Sequence, residues 1–112
     1  MKVHIKSIAQ GIELVCPDGD LDFHSSPQVR EEFLKLANRQ VSKIIVDFKK
    51  VGYIDSSGLA AFVELFQQMK RYNGQIVLFN LSEGVRDVFK IAKLDSIFRL
   101  AQNEKEAKSL LS

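Results

Sequence analysis

Val51-Gly-Tyr-Ile-Asp-Ser-Ser-Gly-Leu59 joins an apolar run, Ile44 to Phe48, to a stretch from Leu59 to Tyr72 whose apolar residues recur at helical spacing. Apart from Asp47 the run is apolar on both faces, which suits an interior strand covered from two sides and marks the centre of a sheet. Asp55, Ser56, Ser57 and Gly58 fall where the helix should begin. Asp and Ser are favoured there because their side-chain oxygens accept the unpaired amide hydrogens of the first turn. The same place offers N–H donors and the positive end of the helix dipole to an anion. A phosphate on a serine here would add about −1.5 to −2 charges and three acceptor oxygens, and Asp55 would repel it unless turned away. A helix cap and a charge switch both fit this spacing.

On the N-terminal side, Val3, Ile5 and Ile8 alternate with polar residues, as do Ile12, Leu14 and Cys16 beyond Gly11. The pattern predicts two short strands joined by a tight turn at Gln10-Gly11. Pro17-Asp-Gly-Asp20 ends the second strand, and Leu21-Asp-Phe-His24 reads as a brief extended segment. Ser25-Ser-Pro27 reads as an N-cap with proline in the first turn of a helix over Pro27 to Asn38. Val29, Phe33, Leu36 and Ala37 form the inner face of that helix, with Glu31, Glu32, Lys35 and Arg39 outside.

On the C-terminal side, Leu59, Phe62, Val63, Phe66 and Met69 make the inner face of the second helix, which stops at Asn73-Gly74. Gln75 to Phe79 is another buried strand. Ser82 caps a third helix with Val85, Val88, Phe89 and Ala92 inward, and Ile97 to Leu100 gives a short last strand. Asn103-Glu-Lys-Glu106 fits a capping box for a final helix reaching Leu110 or Leu111. This order predicts one α/β domain over residues 1–112, a small mixed sheet of four to five strands packed against about four helices. The turns Asp22 to Ser26 and Asp55 to Gly58 then meet at the carboxyl end of the sheet.

The bulk properties exclude more than they assign. The 112 residues are 46% hydrophobic, enough for one core. The formal charge of +2 comes from 16 basic and 14 acidic residues spread along the chain, so there is no basic block for nucleic acid and no acidic tail. Cys16 has no second cysteine to pair with and reads as a small buried hydrophobe, which points to a reducing compartment. No signal-peptide core opens the chain and no window approaches a membrane span of about 20 apolar residues, so a soluble cytoplasmic protein without membrane contact is expected.

Enzyme chemistry finds little support. A nucleophile elbow needs glycine two residues before the serine, where Ile54 and Asp55 stand instead, and neither His4 nor His24 is placed by a motif. There is no glycine-rich phosphate loop with lysine, and Asp18, Asp20 and Asp22 lack the downstream Glu of a calcium loop. No cofactor and no metal are expected.

Gly19-Asp-Leu-Asp22 after a strand, the buried Ile-Val-Asp-Phe strand, and Tyr53-Ile-Asp-Ser-Ser-Gly-Leu59 opening a helix together resemble a STAS domain of the bacterial anti-sigma factor antagonist type. The order of elements agrees from about Val3 to Leu111. The resemblance implies a non-enzymatic, partner-switching regulator of transcription. Its serine after the Asp is phosphorylated by a serine kinase of the histidine-kinase-like ATPase fold, often itself the anti-sigma factor, and is cleared by a PP2C-type phosphatase. Carried over, Ser56 is the phosphoacceptor, Ser57 its neighbour and cap, and Gly58 permits close approach of a partner backbone. Asp22, Asp55 and Leu59 join them in the partner-binding surface, and a monomer is expected. Asp20 stands where the family pattern has Glu. A STAS scaffold that is not phosphorylated, or a subunit of a transporter or signalling assembly, is the other role the resemblance allows.

Overall fold

The computed structural model describes residues 1–111. Strands β1 (Lys2–Ala9) and β2 (Ile12–Asp18) form a hairpin, followed by helix α1 (Ser26–Asn38), β3 (Lys43–Asp47), α2 (Ser56–Lys70), β4 (Gln75–Phe79), α3 (Glu83–Ile91), β5 (Arg99–Ala101) and α4 (Glu104–Ser109). The five strands lie in sequence order, β1 antiparallel to β2 and the rest parallel. β3 is therefore the middle strand, as its two-faced apolar run predicts. Gly11 turns the hairpin at φ +77°.

Alternation along the strands divides the core. Val15, Ile44, Val46, Ile76 and Leu78 face α1, α2 and α3, while Ile45, Val77, Phe79 and Ala101 face α4 through Ala107. On the three-helix side Phe62 of α2 sits among other rings. Its centroid lies 5.0 Å from Phe33, 5.3 Å from Phe48, 6.4 Å from Phe89 and 6.5 Å from Phe98, in edge-on or tilted contacts. α1, the middle strand, α3 and the approach to β5 thus converge on one side chain, in geometries that aromatic quadrupoles favour.

Several expectations need correction. The inner face of α2 is Gly58, Ala61, Phe62, Leu65 and Met69, with Leu59, Val63 and Phe66 only half-buried. The arc is turned because α1 packs along α2, with Phe33 and Leu34 against Ala61 and Leu65 and an Arg30–Glu64 ion pair at 2.8 Å. β2 continues through Pro17 to Asp18, its pairing with β3 having ended at Val15. The last strand starts at Arg99, not Ile97. Leu94–Ser96 forms a 3₁₀ turn, and Leu94 O accepts the amides of both Ile97 (3.0 Å) and Phe98 (2.9 Å), which a strand would have needed. Ala92 is exposed just beyond the end of α3. At the end of α2 it is Asn73, at φ +61°, that takes the left-handed position, while the Gly74 amide bonds back to Met69 O at 2.8 Å. Cys16 is half-buried, and burial followed by the nearby Asp47 carboxylate pushes its thiol up from the ordinary value.

Phe62→Ala should lower the unfolding free energy by about 3–5 kcal/mol, the usual cost of removing a buried ring. Urea denaturation measures this directly, and a loss below about 1 kcal/mol would mean that Phe62 does not hold the helical layer to the sheet.

Candidate functional site

The site grows out of the carboxyl end of β3. Asp47, buried, accepts the Lys49 amide (2.9 Å) and the Asn80 side-chain amide (3.1 Å), so that the turn after β3 is pinned to the end of β4. From there residues 50–55 run beside residues 19–21. Gly19 N–H donates to Lys50 O (3.0 Å), Leu21 N–H to Tyr53 O (2.9 Å) and Asp55 N–H to Leu21 O (3.0 Å). Leu21 and Ile54 form an isolated parallel bridge, and both side chains are buried. Backbone hydrogen bonds thus join the segments that lead into the two turns, residues 19–21 and 50–55.

Helix α2 starts against this bridge. The Asp55 side chain accepts the amides of Ser57 (2.8 Å) and Gly58 (3.1 Å), and Asp55 O accepts the Leu59 amide (2.9 Å). Asp55, not Ser57, is therefore the cap, because its backbone is extended (φ −110°, ψ −173°) while Ser57 lies inside the helix. Gly58 is buried, and a Cβ there would meet Leu21 O at 2.6 Å, Ile54 Cγ1 at 2.8 Å and Leu21 Cβ at 2.9 Å. The backbone that Gly58 admits is the chain's own, at Leu21. Ser57 and Leu59 are half-buried. Ser56 is exposed, and among the described residues its hydroxyl makes no hydrogen bond.

Asp22 follows Leu21 as Asp55 follows Ile54, so the bridge brings the two acids to the same level. Of the expected extended segment only Leu21 is paired. Asp22 Oδ1 accepts the amides of His24 (2.9 Å) and Ser25 (3.1 Å), folding Asp22 to Ser25 into a turn. Ser25 occupies the cap position of α1 without capping it, since its hydroxyl donates to Asp20 O at 2.7 Å and accepts the Asp22 amide. The Ser25 amide is the largest influence on the Asp22 carboxyl, and with the lesser help of the His24 amide and imidazole it outweighs desolvation, the second-largest effect, and holds the group below its ordinary value.

Phe23 and Tyr53, 64% and 53% exposed, flank the bridge. Periodicity passed over both because they belong to no inner face. An aromatic residue set among turn residues was the available signal. Among the described residues no group of three or more His, Cys, Asp and Glu side chains is placed to hold a metal ion, and no helix is long and apolar enough to cross a membrane.

Gly58→Ala should destabilise the fold by at least about 2 kcal/mol, because the clash is with backbone and has no rotamer escape. A denaturation midpoint equal to wild type would refute the packing described. For Asp22 the sign follows from a lowered folded-state value. The stabilisation is complete above the unfolded carboxylate value of about 3.9 and fades as pH falls through the folded one. The gap between wild type and Asp22→Asn in urea midpoint should accordingly close on acidification from pH about 7 to below the ordinary carboxylate range, and a constant or widening gap would count against the turn.

Residues 5–107 match the STAS domain family. The anti-sigma-B factor antagonist of Bacillus subtilis (strain 168) is 36% identical over 83 residues, which cover 74% of this chain and 75% of that protein. The anti-sigma-B factor antagonist of Listeria monocytogenes is 30% identical over 88 residues, 79% of this chain and 77% of that one. In fold the chain resembles the phosphorylated form of the Bacillus cell fate determinant SpoIIAA, with a TM-score of 0.76 at 22% identity over 99% of this chain and 100% of the other. At that identity the structural likeness speaks for the fold, while the match to the family and to the curated relatives speaks for descent. This chain therefore belongs to the STAS domain family, and the relatives it matches include anti-sigma-B factor antagonists.

Proposed function

We propose that this protein is a partner-switching regulator controlled by reversible phosphorylation of Ser56. Its partners are a serine kinase of the histidine-kinase-like ATPase fold that doubles as an anti-sigma factor, and a PP2C-type phosphatase that resets the switch. The observation that carries this reading is the free, exposed Ser56 hydroxyl on the first turn of α2, beside an acid that already caps the helix. A serine needed for capping would have its oxygen on an amide, and Ser56 does not.

The same geometry supports a sharp response. The amides of Ser57 and Gly58, which would otherwise receive an anion at the helix start, are taken by Asp55. A phosphate on Ser56 is then left facing water as nearly two charges beside a carboxylate. Burying it unpaired in an interface costs several kcal/mol, and each 1.4 kcal/mol or so is a tenfold loss in affinity. Unphosphorylated, the surface around Asp22, Asp55, Ser56, Ser57 and Leu59 docks on the kinase and frees what the kinase restrains. No catalysis by this chain is required, and a monomer suffices.

The switch is tested by intact mass and fragmentation of the protein from its native cells, followed by affinity measurements against the purified kinase. Phosphate is expected on Ser56, with Ser56→Ala binding as the unphosphorylated wild type does and Ser56→Asp at least about tenfold weaker. Equal affinity of the two variants would sink the switch. A chain unmodified across growth conditions would leave the phosphorylation-independent STAS scaffold, or the subunit of a transporter or signalling assembly, in its place.

A further inference from the structure

Helix α2, which carries Ser56 on its first turn, is closed at its other end by Asn73-Gly74. Asparagine before glycine is the sequence in which a side-chain amide is most readily lost, because glycine has no Cβ to hinder its own backbone nitrogen from reaching the preceding side-chain carbonyl. Among the chain's asparagines only Asn73 has this neighbour, since Asn38, Asn80 and Asn103 precede Arg39, Leu81 and Glu104. Asn73 is exposed, and among the described residues its side chain makes no hydrogen bond.

The fold nevertheless calls for both residues. Asn73 stands at φ +61°, in the left-handed region that glycine and asparagine enter at least cost. At Gly74 a Cβ would meet Met69 Cε at 2.8 Å, Tyr72 Cε1 at 3.0 Å and Met69 Cβ at 3.1 Å. The same cap takes the reacting nitrogen out of play. Asn73 N–H donates to Lys70 O (3.3 Å) and Gly74 N–H to Met69 O (2.8 Å), the paired bonds of a Schellman motif. Gln75 N–H donates to Ser42 O (2.8 Å), so the peptide groups on both sides of Gly74 are anchored.

We propose that Asn73 is a site of spontaneous deamidation that the native cap keeps shut and that opens only when the carboxyl end of α2 frays. In the frayed chain Gly74 N attacks Asn73 Cγ, the proton of that nitrogen leaves with the side-chain nitrogen as ammonia, and a succinimide ring closes. Water then opens either carbonyl of the ring, giving aspartate or isoaspartate at position 73. Either product adds a negative charge at the carboxyl end of a helix, where the dipole already disfavours one. Isoaspartate also inserts an extra backbone carbon before Gly74, against the spacing that the bonds to Met69 O and Ser42 O require. A chain that has frayed and reacted is therefore less able to close again. None of this requires phosphorylation of Ser56.

The purified chain is incubated folded and, in parallel, unfolded in guanidinium chloride at one mildly alkaline pH, and deamidation is followed by mass spectrometry with fragmentation. In the unfolded chain Asn73 should react faster than Asn38, Asn80 and Asn103, and in the folded chain at least about tenfold more slowly than in the unfolded one. As denaturant is added below the unfolding transition, the native rate should rise together with hydrogen exchange of the Gly74 amide. Asn73→Gly, which keeps a residue suited to the left-handed position, should remove most of the mass gain of the unfolded chain and still fold. The separated deamidated chain should melt below the unmodified one. Equal rates in the folded and unfolded chains would overturn the shielding, and another asparagine leading in the unfolded chain would overturn the site. A native rate that stays flat until the whole chain unfolds would overturn opening by fraying, and an unchanged melting midpoint after deamidation would overturn the role given to the cap.

Discussion

The short parallel bridge between Leu21 and Ile54 is the contact on which the site depends. Its hydrogen bonds run in both directions, Leu21 N–H to Tyr53 O and Asp55 N–H to Leu21 O, and both side chains are buried. Everything that defines the site hangs from it. Asp22 and Asp55 come to one level because they are next in line on the two bridged strands. Gly58 must lack a side chain because Leu21 O lies where its Cβ would be. The start of α2 is thereby fixed to the end of the hairpin, and Ser56 stands on a turn held from below and behind. Buried backbone groups that are paired with each other leave little freedom for such a loop to rearrange.

Rigidity here shapes the kind of switch that is possible. A flexible loop could fold a phosphate back onto donors of its own, whereas the amides of Ser57 and Gly58 are engaged by Asp55, and Asp22 is engaged with its own turn. Under the proposed function the added charge is therefore not absorbed within the molecule and acts on the partner alone. This needs no second conformation of the domain. An electrostatic switch of that kind has its threshold set by desolvation in the interface, so one modification on an unaltered fold is sufficient.

The architecture was legible where one physical rule dominated. The two-faced run Ile44 to Phe48 gave the middle strand, Gln75 to Phe79 its neighbour, and Ser82 and Asn103 cap their helices as their positions suggest, accepting the amides of Val85 (3.2 Å) and Glu106 (2.8 Å). It was obscure where two rules competed. Ile97 and Phe98 look like strand residues, yet their amides are captured by Leu94 O before a strand can claim them. The inner face of α2 was misplaced by part of a turn because helical spacing reports that a face exists and not which neighbour covers its flank, and α1 widened the buried arc towards Ala61 and Leu65. At the site, the residue types Asp-Ser-Ser-Gly announced a helix start, but which of them capped it depended on backbone angles. The two serines are adjacent and identical in type, and only the fold separates the exposed Ser56 from the half-buried Ser57.

The two faces of the sheet are not equivalent with respect to this site. α1, α2 and α3 share one core with the bridge residues Leu21 and Ile54, and the ring of Phe62 ties that core to Phe48 at the end of the central strand. α4 closes a separate cluster around Ile45, Val77, Phe79 and Ala101. A substitution on the α4 side reaches the site only by way of the sheet, chiefly through Asp47, whose carboxylate holds the turn from which residues 50–55 depart. Damage to the ring cluster reaches it directly, since the same packing seats α2 against Leu21. Loss of stability and loss of site geometry should therefore separate on the α4 face and coincide on the other, because rigid cores transmit displacement to what they support.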